Sequence, residues 1–170
     1  MPVLPEDSVL MMNIRLAQET DLDSILEVIE TAFPDEENKV IMNLVQDLHQ
    51  ETASPSIKSL VAEVDNQAMG YVSYSPIFLK SDTSICGYIL APLAVSPEHQ
   101  KKGVGSNLMN AGIDMLTNDG VGVLLVYGDP AYYGRFGFKE ENRESEYGIV
   151  GDKILTLYMA VNCLHLSVSS

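Results

Sequence analysis

The segment from Leu90 to Leu116, which reads LAPLAVSPEHQKKGVGSNLMNAGIDML, decides the fold of this 170-residue chain. Its first residues are apolar and fit a β-strand that runs through Leu93, Ala94 and Val95. A polar turn with Gly103 and Gly105 follows, and after it apolar residues recur at helical spacing. The order of strand, glycine loop and helix predicts an anion site, because a helix start presents unpaired N–H groups and the positive end of the helix dipole.

Two familiar phosphate-binding loops do not fit this segment. A P-loop needs a lysine after its last glycine, whereas Lys101 and Lys102 precede Gly103. A dinucleotide loop needs a third glycine, where this chain has Leu108. What remains is a Gln-x-x-Gly-x-Gly turn, whose N–H groups from about residue 102 to residue 106 suit a pyrophosphate. The alternative is that the glycines only make a tight turn between strand and helix.

Upstream of this segment, the pattern predicts a strand, two helices and a hairpin. Residues 13–17 read as the strand, and Thr20 with Asp23 predicts the cap of a first helix that ends at Pro34. The second helix begins at about Asp35, and its predicted apolar stripe consists of Val40, Ile41, Leu44, Val45 and Leu48. Residues 59–64 and 70–75 are β-branched and aromatic, which predicts an antiparallel hairpin.

Downstream of the glycines, the predicted helix ends at Gly120, and an almost wholly apolar run follows over residues 121–127. Such a run is typical of a central strand that is covered on both faces. Pro130 suits the first position of a short helix, and residues 137–140 and 154–161 predict two further strands. We therefore expect an α/β or α+β fold in one domain over residues 1–170, with residues 1–12 as a short tail.

Composition excludes several classes of function. The net charge of −14 argues against a nucleic-acid surface, which needs clustered Lys and Arg. No apolar run reaches the length of a membrane span, and the N-terminus lacks the pattern of a signal peptide, so we expect a cytoplasmic protein. Cys86 and Cys163 read as buried apolar residues, and no histidine has a partner at metal-ligand spacing, so no metal is expected.

The glycine turn resembles motif A of the GNAT superfamily of acyl-CoA-dependent N-acyltransferases. In that family the Gln-x-x-Gly-x-Gly turn holds the coenzyme A pyrophosphate, and the preceding strand gives main-chain groups to the pantetheine arm. The resemblance implies a mixed, mostly antiparallel sheet of six to seven strands with about four helices, and acetyl-CoA as cosubstrate. By this resemblance the cofactor-binding residues are Leu93, Ala94, Val95, Gln100, Lys101, Lys102, Gly103, Val104, Gly105 and Ser106, with Asn107 as a weaker candidate.

A second resemblance lies downstream, where residues 133–138 read YGRFGF. This is similar to the family's Tyr-x-x-x-Gly-Phe motif, which implies that Tyr133 protonates the departing thiolate. A phenol with an ordinary pKa near 10 is a proton donor at neutral pH, which suits that role. The chain departs from the family at Asp129, where many members carry an asparagine that contacts the coenzyme. Asp129 either takes part of that role or caps the helix.

The resemblance implies an enzyme that acetylates an amine by direct attack on the thioester, as a monomer or a homodimer. The alternative is a module that binds acyl-CoA without catalysis. Phe33 and Pro34 stand where the family commonly forms the acceptor wall, although a helix connector with Phe33 in the core is the other interpretation. No general base is identified: Glu98 and His99 are expected to face solvent, and Glu63, Tyr74 or a chain of waters remain open.

Overall fold

The structure is a computed structural model that describes residues 12–52, 56–78, 86–140 and 154–158. In these ranges the strands are β1 (Met12–Leu16), β2 (Lys58–Val64), β3 (Gln67–Phe78), β4 (Cys86–Val95), β5 (Val123–Tyr127), β6 (Lys139–Glu140) and β7 (Ile154–Tyr158). The α-helices are α1 (Leu22–Ala32), α2 (Asp35–Gln50), α3 (Val104–Asn118) and α4 (Pro130–Tyr133). The predicted tail, the end of the predicted last strand and Cys163 lie outside the described residues. None of the helices in the described ranges has the length and apolar character that a membrane crossing requires.

The seven strands form one mixed sheet in the order β1-β2-β3-β4-β5-β7-β6. β1 pairs with β2 in antiparallel register, and β5 pairs with β7 in the same way. β4 and β5 run parallel, with Tyr88–Leu90 opposite Leu124–Val126. Together with the four helices, this sheet confirms the fold class that the sequence predicts.

The predicted hairpin is confirmed by the turn between β2 and β3. Asp65 and Asn66 have φ angles of 50° and 65°, and both therefore lie in the left-handed region. Two left-handed residues give the turn whose twist matches that of paired antiparallel strands, and Asp and Asn tolerate this conformation well. The turn thereby sets the register of β2 against β3.

One sequence prediction on the helices is wrong, and the predicted stripe of α2 is less buried than the core faces of the protein. The N-terminal cap does not involve Thr20: a short 3₁₀ turn over Glu19–Asp21 precedes α1, and the Gln18 N–H donates to the Asp21 carboxylate at 2.7 Å. The apolar stripe of α2 is only partly buried, since Val45 is fully buried but Val40 is 69% exposed. Periodicity identifies residues on one face of a helix, but not how much of that face a neighbour covers.

Backbone contacts divide the chain into two compact units. The described residues of the first unit fall within 1–51, 59–72 and 92–108, and those of the second fall within 52–58, 73–91 and 109–170. β3 and β4 contribute to both.

The core of the first unit forms where α1 and α2 pack on the sheet. It consists of Ile25, Val28, Ile29, Val45, Val61, Tyr71 and Ala94. Phe33 is partly buried and packs against this cluster. The core therefore anchors α1, α2 and the end of β4 to the same part of the sheet.

In the second unit, β5 supplies an unbroken buried run. Val123, Leu124, Leu125 and Val126 are each at most 1% exposed. A strand that alternated between core and solvent would bury every second residue only. The run confirms the prediction of a strand covered on both faces, and α4 begins three residues after β5 ends.

Candidate functional site

The polar turn after β4 is held by a side chain that the sequence singled out. The Gln100 side-chain amide donates to the Val95 carbonyl oxygen at 2.9 Å, which ties the turn to the end of β4. Lys101 and Gly103 have φ angles of 63° and 85°. A left-handed lysine is strained by about 1–2 kcal/mol, and such strain is often found at functional sites. The turn thus holds an unfavourable conformation to redirect the chain into α3.

The start of α3 presents backbone donors in the predicted place. Asn107 N donates to Gly103 O at 3.0 Å, which is the first hydrogen bond of the helical pattern. The N–H groups of Val104, Gly105 and Ser106 precede that bond and point out of the helix start. With the positive end of the dipole behind them, they can hold an anion.

Glycine is required at two positions, Gly103 in the turn and Gly70 on β3, for different reasons. A Cβ atom built on Gly103 would meet nothing within 4 Å, so the requirement for glycine there is its φ of 85°. Gly70 on β3 has the opposite requirement: a Cβ there would lie 2.9 Å from Val104 Cγ1 and 2.9 Å from Leu108 Cδ1. Gly70 therefore lets the first turns of α3 sit directly on β3.

The predicted pantetheine-binding residues lie at the end of β4. Ala94 is 3% exposed and belongs to the core of the first unit, whereas Leu93 and Val95 are half-buried. Pro92 precedes them and has no N–H to give to a neighbouring strand, which is unusual inside a sheet. The parallel register with β5 covers Tyr88–Leu90, so it ends two residues before Pro92.

The candidate acid, Tyr133, lies on α4 in the second unit. Asp129 caps this helix by accepting a hydrogen bond from Ala131 N at 3.0 Å, with Pro130 at the first helical position. The Tyr133 ring packs edge-on against Tyr132 and Phe138, with ring centroids 4.9 Å and 5.7 Å away. Burial, and secondarily Tyr132, raises the pKa of Tyr133 to about 12, so the phenol is protonated at neutral pH.

A cavity of about 380 Å³ in the first unit was not predicted from the sequence. Arg15 lies at its wall, donating to Asp21 at 2.7 and 2.8 Å and to Glu63 at 2.7 and 3.0 Å. These bonds hold the pKa values of both carboxyl groups below their usual ranges. Glu27 and Glu98 also line the cavity, which leaves its wall with more negative than positive charge.

The other residues that the sequence suggested for the site do not all lie where they were expected. Glu98 is exposed as expected, but His99 is half-buried, and its Nδ1 is buried with no hydrogen-bond partner among the described residues. Phe33 packs on the core and Pro34 precedes α2, so a role in acceptor binding stays a prediction for both. In the described part of the chain no group of His, Cys, Asp and Glu side chains is arranged to hold a metal ion.

The comparisons with known proteins identify one protein family. Residues 13–140 match the model of the acetyltransferase (GNAT) domain. Two relatives in Escherichia coli strain K12 are the uncharacterized N-acetyltransferases YjhQ and YhbS. YjhQ is 35% identical over 73% of this chain and 67% of its own length, and YhbS is 31% identical over 75% and 74%.

Solved structures show the same fold. The Escherichia coli YhbS structure, a complex with CoA, has a TM-score of 0.78 and 27% identity over 93% of this chain and 87% of its own. A GNAT acetyltransferase of Brucella melitensis in complex with acetyl-CoA has a TM-score of 0.68 and 26% identity, over 89% and 90%. The glycine turn at the start of α3, the capped tyrosine helix and these matches agree, and the chain belongs to the GNAT family of acetyltransferases.

Proposed function

We propose that this protein is an N-acetyltransferase that moves the acetyl group of acetyl-CoA directly to an amine. The observation that carries the proposal is the start of α3, where Gly103 and the first helical N–H groups form a turn that can hold an anion. The two similar structures that contain CoA or acetyl-CoA support the same ligand. A cytoplasmic location, where acyl-CoA thioesters are available, goes with this proposal.

The coenzyme would be held mainly by backbone. We assign the pyrophosphate to the N–H groups between Lys102 and Ser106, with Lys101 and Lys102 exposed beside them as point charges. Gln100 acts through the backbone, since its amide is already bonded to Val95 O. Main-chain groups at Leu93–Val95 would bind the pantetheine arm.

In the proposed transfer, the neutral amine attacks the thioester carbonyl, the carbon–sulfur bond breaks, and Tyr133 gives its proton to the leaving thiolate. The half-buried phenol meets the first requirement of this role, because burial raises its pKa to about 12 and it therefore carries a proton at neutral pH. The amine proton passes to a base or to water. Asp129 contributes by capping the helix that carries Tyr133.

The charge of the cavity wall beside Arg15 indicates which class of amine acceptor would bind there. The cavity beside Arg15 is lined by Asp21, Glu27, Glu63 and Glu98, and Ser96 and Glu98 of its wall adjoin the proposed coenzyme turn. A wall with excess negative charge favours a ligand with an ammonium group. We therefore propose a cationic amine, either a small molecule or a peptide amino group.

The first experiment measures binding and turnover separately. Calorimetry with acetyl-CoA should show binding by the wild type and by Tyr133→Phe, but not by Gly103→Glu, which adds a negative charge at the turn. Gly103→Ala is the matched control, because it introduces the same backbone strain without charge.

Thiol release is then followed with a panel of amines and basic peptides. Tyr133→Phe should lose turnover by about 10²–10⁴-fold, the usual contribution of a general acid. Tyr127→Phe removes a phenol that is 63% exposed and should behave as the wild type. Binding without thiol release for every acceptor would favour the non-catalytic acyl-CoA module, and no binding would refute both functions.

A further inference from the structure

The cavity beside Arg15 has an arginine in its wall, but that arginine is not available to a ligand. Its Nε and Nη2 donate to Glu63 Oε1 at 3.0 and 2.7 Å, and its Nη1 and Nη2 donate to the two carboxylate oxygens of Asp21 at 2.7 and 2.8 Å. Nη1 also donates to Leu16 O at 3.0 Å. A guanidinium has five N–H donors, so every donor of Arg15 is used within the fold. The arginine therefore does not make this cavity an anion site.

Two other carboxylates of the cavity wall have no such partner. Glu27 lines the cavity from α1, Glu98 lines it from the segment before the glycine turn, and both residues are exposed. Neither carboxylate has a hydrogen bond or an ion pair with any residue in the described ranges. One positive and four negative side chains line the cavity, which gives its wall a formal charge of −3. The free carboxylates of Glu27 and Glu98 are thus the charges that a ligand would meet.

Ser96 adds a buried oxygen to the same wall. The residue is 5% exposed, and its hydroxyl donates to the Met69 sulfur at 3.5 Å, which is a weak acceptor. The hydroxyl oxygen accepts no hydrogen bond from the described part of the chain. A buried acceptor without a donor is unfavourable until a ligand or water supplies an N–H or O–H group. An ammonium group carries donors only, so it matches both this oxygen and the free carboxylates.

The charge of this wall does not suit the nitrogen that is acetylated. In the proposed transfer the nucleophile is a neutral amine, because a protonated nitrogen has no lone pair with which to attack. Neighbouring carboxylates stabilise the ammonium form of an amine and raise its pKa, so they oppose the loss of its proton. The cavity is therefore better matched to a cationic group that stays protonated throughout the reaction.

We propose that the cavity is an anchoring subsite for a second, non-reacting ammonium group of the acceptor, held by the carboxylates of Glu27 and Glu98 and by the Ser96 oxygen. The acceptor is then a small diamine, or another amine with a second cationic group. This inference rests on the proposed acetyl transfer and narrows its acceptor class. The cavity volume of about 380 Å³ lies within the range of small-molecule pockets, roughly 300–1,000 Å³, so an alkylammonium chain has room there.

The first test measures binding without turnover, by calorimetry of the full-length protein with diaminobutane and with its uncharged analogue butanediol. We expect the diamine alone to bind. Glu27→Gln and Glu98→Gln should each weaken its binding by roughly two- to fivefold, the range for an ion pair with an exposed carboxylate. Their melting temperatures should not change, since neither carboxylate has a partner in the described fold.

Glu30→Gln is the matched control, because Glu30 is also exposed on α1 but does not line the cavity. This variant should bind diaminobutane as the wild type does. If it weakens binding as much as Glu27→Gln, the effect comes from overall charge and the proposal is overturned. Equal binding by the wild type and Glu27→Gln, or binding of butanediol as tight as that of the diamine, overturns it as well.

The second test measures thiol release with linear diamines of increasing length and with monoamines of the same lengths. At the length that joins the subsite to the reacting carbon, kcat/KM should be higher for the diamine than for the monoamine. Glu27→Gln should raise the KM for that diamine by roughly two- to fivefold and leave kcat unchanged, because the anchor binds ground state and transition state alike. Equal kcat/KM for diamine and monoamine at every length overturns the subsite.

The two tests separate this inference from the proposed function. Binding of diaminobutane that depends on Glu27, in a protein that acetylates no amine, supports the cation site and refutes only the proposed transfer. Acetylation of amines that does not depend on Glu27 or Glu98 supports the transfer and refutes the subsite.

Discussion

Gly70→Ala tests whether the packing of α3 on β3 sets the geometry of the turn that we propose binds the coenzyme. The added methyl carbon would lie 2.9 Å from Val104 Cγ1, 2.9 Å from Leu108 Cδ1 and 3.3 Å from Ala62 Cβ. Carbon atoms in contact prefer about 3.5–4.0 Å, so the first turns of α3 must withdraw by roughly 0.6–1 Å. Val104 and Leu108 are 1% and 0% exposed, which leaves no side-chain movement that relieves the clash freely.

The expected change in stability combines two effects. Overpacking a tight core costs about 1–3 kcal/mol, while replacing a strand glycine by alanine regains about 0.5–1 kcal/mol. The net loss of about 1–2 kcal/mol corresponds to a melting temperature lower by roughly 2–8 °C for a chain of this size.

Binding of acetyl-CoA should weaken as well, because the withdrawn turn carries the N–H groups to which we assign the pyrophosphate. A displacement close to 1 Å takes such a donor out of the hydrogen-bonding range of about 2.7–3.2 Å. Each charge-assisted bond contributes about 1.5–3 kcal/mol, so we expect the Kd for acetyl-CoA to rise by about tenfold or more.

Calorimetry and thermal denaturation are run with two glycine controls. Gly134→Ala adds a methyl group where a Cβ meets nothing within 4 Å, and it should match the wild type. Gly103→Ala also has room but must adopt a φ of 85°, so it should lose stability through strain. If Gly70→Ala keeps both the melting temperature and the Kd, the close packing of α3 on β3 is refuted. A lower melting temperature with an unchanged Kd would show that the helix start does not hold the coenzyme.

Three further predictions concern single side chains. Asp21→Asn should destabilise the protein by about 1.5–3 kcal/mol through the bonds to Arg15. Because the pKa of Asp21 is lower in the folded protein than in the unfolded chain, its contribution is present above the unfolded pKa and is lost as pH falls through the folded pKa. Acid unfolding of Asp21→Asn, followed by circular dichroism, should therefore depend less on pH in that range; an equally steep dependence contradicts the ion pair. Asp129→Ala should cost about 1 kcal/mol in thermal denaturation and Asp129→Ser should restore it, whereas a weaker Kd for acetyl-CoA in both variants would assign a coenzyme contact instead of the cap. Lys101→Gly should raise the melting temperature, since glycine adopts a φ of 63° without strain, and a lower value would show that the lysine is not strained.

The sequence predicts those parts of the fold that local chemistry controls. Neighbouring residues are enough to predict the start of α3 at Val104 and the buried strand β5. They also predict the glycine after α3, Gly120, which has a left-handed φ of 81°. The same holds for Asp129, whose side chain and the backbone it caps are two residues apart. The glycine turn and the tyrosine motif also predict the family, because each motif lies within one short segment.

The features that the sequence does not predict depend on residues far apart in the chain. Arg15 meets Glu63 across 48 positions, and the cavity beside them exists only once β1 and β2 are in register. Gly70 and Gly112 are sequence signs of such long-range packing, because a glycine inside a predicted strand or helix often marks a place where other atoms come close to the backbone. The atoms that approach them become known only from the packing of α3 against β3.

If acetyl-CoA binds at the turn as proposed, the exposed pair Lys101 and Lys102 affects its association rate. The protein carries a net charge of −14, so an anionic coenzyme is repelled until it comes within about a Debye length of the two lysines, roughly 10 Å at 0.1 M salt. Added salt screens the long-range repulsion more than it weakens contacts at the turn. The association rate should therefore rise with ionic strength, which is the reverse of an enzyme that steers its ligand by opposite charge.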